Sequence, residues 1–369
     1  MGVIGGSLAG WALRRPHLLL AAVPGATAVR LAVEAEARRH GWSQATSPAD
    51  ADLLVVAGEP GTELAGAVDR VWDQFPGPRA RVQVVDAQDA AAALREAAQR
   101  LHDCGGGGQG QHDGGHEGHG GMSMPGGLMM AKRANDRDGL KLDALHLALG
   151  PVLVDWPAGL VVELTVQGDV VQAATGRVLP PAQPVEGSYW DVGDADTRRR
   201  RHAAAHLDSL GRLWAVAGWE GGAEAVRGLR DEVVGGMPVV EAYRRFRTLD
   251  RRARRSRALR WATDGLGMLD ATRARGAGVT GPAARSAEAG GDVTARWRCW
   301  LAETGRLLAG GEPADVGPRG GPVGGAPASA ALLTEATRLM VGLDLAAARL
   351  VLASFDPDSD ELLTVGVRR

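Results

Sequence analysis

Three histidines recur in a glycine tract: His112, His116 and His119, with Asp113 and Glu117 between them and Met122, Met124, Met129 and Met130 close behind. Imidazole suits zinc, nickel and copper, and thioether suits cuprous ion. The candidate metal ligands are therefore His112, His116, His119, Met122 and Met124. A glycine-flanked tract does not fix donor geometry, and metal sites depend on groups that orient their ligands. Weak, adventitious binding and a specific metal role both fit this composition, and the methionines also fit an adaptable contact surface. The only cysteines, Cys104 and Cys299, are too few and too far apart for a disulfide framework, which fits a reducing compartment.

Other side chains offer less specific chemistry. Arg198 to Arg201, followed by His202 and His206, could clamp a phosphate or carboxylate, attract anionic headgroups, or form a solvated helix face. Tyr243-Arg-Arg-Phe-Arg247 and Arg251, Arg252, Arg254, Arg255, Arg257 and Arg260 extend the basic character, as a helix facing an acidic subunit or a membrane would. Gly58-Glu-Pro-Gly61 could present N–H groups to an anion but lacks phosphate-loop spacing, so a plain strand–helix turn is favoured. A net charge of −2 gives no general attraction to nucleic acid.

The elements that must position these groups fall into two halves. Residues 1–103 alternate strand and helix patterns: apolar runs at His17–Ala22, Asp52–Ala57 and Val82–Asp86, with helices expected at Ala26–Arg39, Thr62–Gln74 and Asp89–His102. That alternation predicts a parallel sheet covered on both faces. Arg14-Arg15 and the run from Leu18 imitate an export signal, but Pro24 and Gly25 break it early, so a buried first strand is expected. Residues 104–138 read as a Gly/His/Met-rich flexible linker. Residues 139–369 form a second, mainly helical α+β domain. Its β segment covers 139–180, with a hairpin around Gly168. Helices are expected over 197–308, including Arg198–Trp219, Ala225–Val234, Val239–Asp270 and Asp292–Leu308. A second Gly/Pro loop covers 310–329, then a helix at Ala331–Leu343, a strand at Ala348–Ser354 and the acidic Asp356-Pro-Asp-Ser-Asp-Glu361.

Ser47-Pro-Ala-Asp-Ala-Asp-Leu-Leu-Val-Val-Ala-Gly-Glu-Pro60 and Leu64-Ala-Gly-Ala-Val-Asp-Arg-Val-Trp-Asp-Gln-Phe-Pro-Gly-Pro-Arg79 resemble the small iron–sulfur subunit shared by respiratory complex I and nickel–iron hydrogenases. The second half resembles the large partner subunit of the same complexes. The resemblance lies in Leu149-Gly-Pro-Val-Leu-Val-Asp-Trp-Pro157 with its following strands, in Gly278-Val-Thr-Gly-Pro-Ala-Ala-Arg285, in Gly291-Asp-Val-Thr-Ala-Arg296, and in Ala353-Ser-Phe-Asp356 as a closing strand. It implies a flavodoxin-like α/β first domain and a large-subunit-like second one. It further implies antiporter-like membrane subunits as partners, no nucleic acid, and peripheral contact with the cytoplasmic face of a membrane.

The departures from that pattern bear on chemistry. One such cluster needs four thiolates. The loop Val23–Ala28, where the family places cluster cysteines, holds Gly25 and Ala28, and the later cysteine position falls at Ala87. The loop Val152–Pro157 carries Trp156 and Pro157, but not the histidine that faces quinone in the family. Paired Cys-Xaa-Xaa-Cys motifs are absent from the sequence. The expectation is a core subunit without catalytic residues or a resident cofactor, acting as a structural or coupling arm. The alternatives are an oxidoreductase subunit using partner-supplied cofactors and a metal-binding protein built on the His/Met tract. Replacing His112, His116 and His119 with Ala is expected to abolish the function of a metal-binding protein. A triple variant with no phenotype, where deleting either half has one, would exclude that role.

Overall fold

The computed structural model describes residues 15–106, 144–314 and 316–364. The first half is built on a parallel sheet of β1 (Leu18–Ala22), β2 (Leu53–Ala57) and β3 (Ala80–Val84), with β2 in the middle. Helices α1 (Thr27–His40), α2 (Thr62–Trp72) and α3 (Ala90–Gly106) cover it. Every residue of β2 is buried. Successive side chains alternate faces. Leu53, Val55 and Ala57 meet α1 and α3, whereas Leu54 and Val56 meet α2. The export-like run is thus β1 itself.

This is α/β as expected, but the flavodoxin-like reading needs correction. That fold places its first strand between the second and third, whereas here the order is β1-β2-β3. The helix α3 also runs through Cys104 to Gly106, past the expected linker boundary. His112, His116, His119, Met122 and Met124 lie outside the described residues.

The second half opens with an antiparallel meander of β4 (Ala144–Leu149), β5 (Leu160–Gln167) and β6 (Val170–Val178). Gly168 turns the hairpin at φ +62°. The rest is helical: α4 (Ala195–Val216), α5 (Glu220–Val234), α6 (Val239–Arg255), α7 (Arg257–Thr263), α8 (Ala271–Gly276), α9 (Gly281–Glu288), α10 (Val293–Leu308), α11 (Ala328–Met340), α12 (Leu345–Phe355) and α13 (Ser359–Thr364). The central helix α4 is buried on all sides from His202 to Gly211. Asp194 caps it by accepting from the Thr197 N–H at 2.8 Å. Trp214 and Trp297 are fully buried in this core.

Two expectations fail here. The helix foreseen from Val239 to Asp270 breaks at Ser256, whose Oγ accepts from the Leu259 N–H at 3.2 Å and starts α7. The strand foreseen at Ala348–Ser354, with its family-like closing segment Ala353–Asp356, is helix α12 ending at Asp356. Ala348, Val351, Leu352 and Phe355 are buried at helical spacing, and a short apolar run cannot distinguish strand from buried helix.

The halves share apolar packing and backbone bonds. Val161 and Leu179 join the core beneath α2. The Ala182 N–H donates to the Glu59 carbonyl at 2.9 Å. Gly58-Glu-Pro-Gly61 is the plain strand–helix turn. Gly58 has φ +105°, and a Cβ there would lie 2.6 Å from that of Ala26. Strain and overpacking together should make Gly58→Ala cost about 2–4 kcal/mol in urea unfolding. An unchanged midpoint would contradict this packing.

Candidate functional site

A polar cleft of about 70 Å³ lies where the halves meet, lined by the end of β1, the first turns of α1, the β4–β5 loop, α4, Arg319 and residues 357–360. By volume it can hold a few waters. One wall is an ion network centred on Asp208 of α4. Arg30 of α1 grips this carboxylate with two bonds, Nη1 to Oδ1 at 3.1 Å and Nη2 to Oδ2 at 2.8 Å. Arg212 and Arg230 bind it from α4 and α5. Arg230, fully buried, also reaches Glu34 and Asp231, each at 2.8 Å. Arg38 of α1 closes the network by donating to Asp231 from Nε at 2.9 Å.

Burial pushes the Asp208 carboxyl upward, but Arg212, Arg30 and Arg230 outweigh it and hold the group well below the usual carboxylate range. Glu34 ends low for the same reason, with Arg230 the main partner. Burial likewise lowers the Arg230 guanidinium, and Glu34 and Asp208 reverse that to leave it well above its ordinary value. Asp208, Glu34 and Arg230 are therefore charged at neutral pH.

The acidic part of the lining, Asp358 and Asp360, comes from the C-terminal segment. Asp356 sits at φ +42°. It takes the Ser209 hydroxyl at 2.6 Å and Arg212 at 2.7 Å, and pairs with Arg319. The Arg319 Nε donates to the Asp356 carbonyl at 2.7 Å. The 310–329 stretch, expected as a loop, thus sends one guanidinium deep inside. Ser188 donates to Asp358 at 2.7 Å. Asp360 accepts from the Gly25 N–H at 2.6 Å and from Thr27 at 3.2 Å. Ser329 donates to Glu361 at 2.7 Å. Burial first, and the neighbouring Asp358 second, push both Asp360 and Glu361 up to about 7. Asp155, at φ +58° in the β4–β5 loop, is also raised by burial although Arg227 opposes this.

The residues singled out in the sequence scatter. Trp156 and Pro157 do line the cleft, and the indole N–H donates to the Leu160 carbonyl at 2.8 Å. Gly25 does not line it, but its N–H bonds the lining residue Asp360. Ala28 is half-buried on α1, and Ala87 is exposed beyond β3. Three of the arginines at 198–201 are spent on the fold: Arg199 and Arg200 pair with Asp196, and Arg201 donates to the Tyr189 and Val192 carbonyls, whereas the buried Nε of Arg198 has no hydrogen-bond partner. Burial and then Arg319 keep His206 neutral by lowering it well below its usual value. Among the described residues no group of three or more His, Cys, Asp and Glu side chains is arranged to hold a metal ion. No helix there is long and apolar enough to cross a membrane.

Sequence reasoning missed Arg30, Asp208, Arg230, Arg319, Asp358 and Asp360. One signal was present: the Ala-rich stretch of α4 carries His206, Asp208 and Ser209 within a helix that has almost no solvent face.

No protein-family model matches the chain, and no curated protein matches it. A solved structure, the membrane-bound sulfane sulfur reductase, an archaeal respiratory membrane complex, contains a chain that aligns with 60% of this one and 98% of its own length. The identity is 15% and the TM-score 0.44. At that degree of likeness the fold description rests on the strands and helices themselves.

A raised carboxyl pKa means that the native state holds more protons than the unfolded chain. Stability through Asp360 and Glu361 is therefore present at mildly acidic pH and lost as pH rises through about 7. Asp208 and Glu34 act oppositely, stabilising above the ordinary carboxylate range and failing in acid. Urea unfolding at pH 5 and pH 8 should show a loss of about 2–4 kcal/mol across that interval, largely abolished in Asp360→Asn/Glu361→Gln. Equal slopes in both proteins would mean that these carboxyls are ionised in the fold.

Proposed function

We propose that the chain is a joined small- and large-subunit-like core of a membrane-associated respiratory or ion-translocating complex. In this reading it acts as a structural or coupling arm without a cluster of its own. The observation that supports it most is the fate of Gly25. The resemblance puts a cluster cysteine in its loop, and here its N–H anchors Asp360 of the other half. The interface that would surround a redox centre is filled by ion pairs and by carboxyls poised to hold protons. Trp156 narrows the cleft where the family's quinone-facing loop would lie.

Such an arm would sit on the cytoplasmic face and contact antiporter-like membrane subunits. An arginine wall that stays charged and an acidic wall that titrates near neutrality would make the fit between the halves responsive to proton load. The rival reading, an oxidoreductase subunit using partner-supplied cofactors, predicts different metal content.

Anaerobic affinity purification from native membranes, with iron, nickel, copper and zinc quantified, separates the two. The expected result is co-purifying antiporter-like subunits with no stoichiometric iron on this chain. Iron that stays with the chain after its partners are stripped away would make it an oxidoreductase subunit with unconventional ligands.

A further inference from the structure

Helices α6 and α7 lie end to end across α10, running against it. Phe246 of α6 lies against Gly305 near the C-terminal end of α10. Thr263 of α7 bonds Thr294 at 2.7 Å and Trp297 at 3.2 Å near its N-terminal end. Both helices therefore bury one side on α10 and turn the other outward.

The inner side of α6 carries Ala242, Phe246 and Ala253. With 3.6 residues per turn, Arg244, Arg247, Arg251, Arg252 and Arg255 fall with Val240 on an opposite arc of about 140°. All six are exposed, and Val240 is 84% accessible. The acidic residues of the same helix are already engaged, Glu241 by Arg245 and Asp250 by Arg254. Among the described residues none of these five arginines, nor the exposed Arg257 of α7, has a carboxylate in ion-pair range. On α7, Leu259 and Thr263 are buried, and Trp261, half a turn from each, is 89% exposed. Met268, shortly beyond α7, is 55% exposed.

The whole chain carries a net charge of −2, so this basic face is a local segregation of charge. An indole left almost wholly in water beside it has the amphipathic character that suits an interface, apolar at one end and polar at the other. A protein partner would have to bring carboxylates to separate arginines and a slot for Trp261. A bilayer surface rich in anionic headgroups meets the arginines along a plane, and its interfacial zone takes up indole rings. We propose that the outer face of α6 and α7 docks on anionic phospholipid headgroups, with Trp261 seated in the interface. This names the surface by which the arm described above would touch a membrane, and rests on that reading only for its setting.

The full chain should co-sediment with phosphatidylcholine vesicles containing phosphatidylserine and not with phosphatidylcholine alone, and the binding should fall steeply with added salt. Arg247→Ala/Arg251→Ala/Arg255→Ala should lower partitioning about a hundredfold, and Trp261→Ala about tenfold. Neither should shift the thermal unfolding midpoint, because these side chains are exposed. Absence of binding, equal binding to both vesicles, or a triple variant that sediments like the parent would overturn the proposal. So would retention on DNA or polyglutamate without vesicle binding. The assay contains no partner subunit, so its failure leaves the purification result untouched, and the reverse holds too.

Discussion

One buried carboxylate governs how the two halves meet. Asp208 lies in the stretch of α4 that is buried on all sides, and an isolated charge there would be prohibitively costly. It is tolerable because Arg30, Arg212 and Arg230 converge on it from three helices. Those guanidiniums are in turn paired with further carboxylates, Glu34, Asp231 and Asp356, although the buried Arg212 Nε has no partner. Such networks add little net stability over apolar packing, but removing one member leaves an uncompensated charge. What the network supplies is register. Moving α1 on α4 and α5 would unpair Arg30 from Asp208 and Glu34 from Arg230, so the charges favour this docking geometry while Val161, Leu179 and the neighbouring apolar side chains supply the burial.

The acidic wall follows from that constraint. With Asp208 absorbing three cations, few positive groups remain for the C-terminal segment. Asp356 takes Arg212 and Arg319. Asp358, Asp360 and Glu361 are left to hydroxyl and backbone donors. Neutral donors compensate a buried carboxylate less completely than a guanidinium does. Burial, and then Asp358, therefore carry Asp360 and Glu361 up to about 7, while arginines hold Asp208 and Glu34 down.

Much of the framework was legible in the sequence, and the site was largely not. β1 and β2 announce themselves as apolar runs, and the β5–β6 hairpin is marked by Gly168 and Asp169. The break at Ser256 is hidden because arginines continue on both sides and only a hydroxyl cap separates the helices. The segment Ala348–Ser354 is apolar under either period. The run from Asp356 to Glu361 has the composition of a solvated tail, yet 356–360 are buried. Its burial depends on hydroxyls at Ser188, Ser209 and Ser329, distant in sequence and ordinary in type. Arg319 stands in a Gly/Pro stretch whose composition says loop, and nothing local indicates that its guanidinium turns inward. Trp156 and Pro157 were singled out only by resemblance, as residues of the family's quinone-facing loop, because no property of those two residues alone points to the cleft they line.

The position of Gly25 connects these points. The turn leaving β1 is held by Val23, whose N–H donates to the Ala57 carbonyl and whose carbonyl accepts from Ala26. That geometry points the Gly25 N–H out of the turn, toward the second half. Gly25 has φ +82°, and a Cβ there would approach Val185 at 3.3 Å, so a cysteine or any other L-residue would be strained in this turn as it stands. The N–H goes instead to Asp360, and the neighbouring Thr27 hydroxyl goes to the same carboxyl. The loop that the resemblance would assign to metal ligation is thus committed to holding the C-terminal segment in place. The carboxyl that grips the first half by this turn is thus the same one that burial, and then Asp358, push up to about 7.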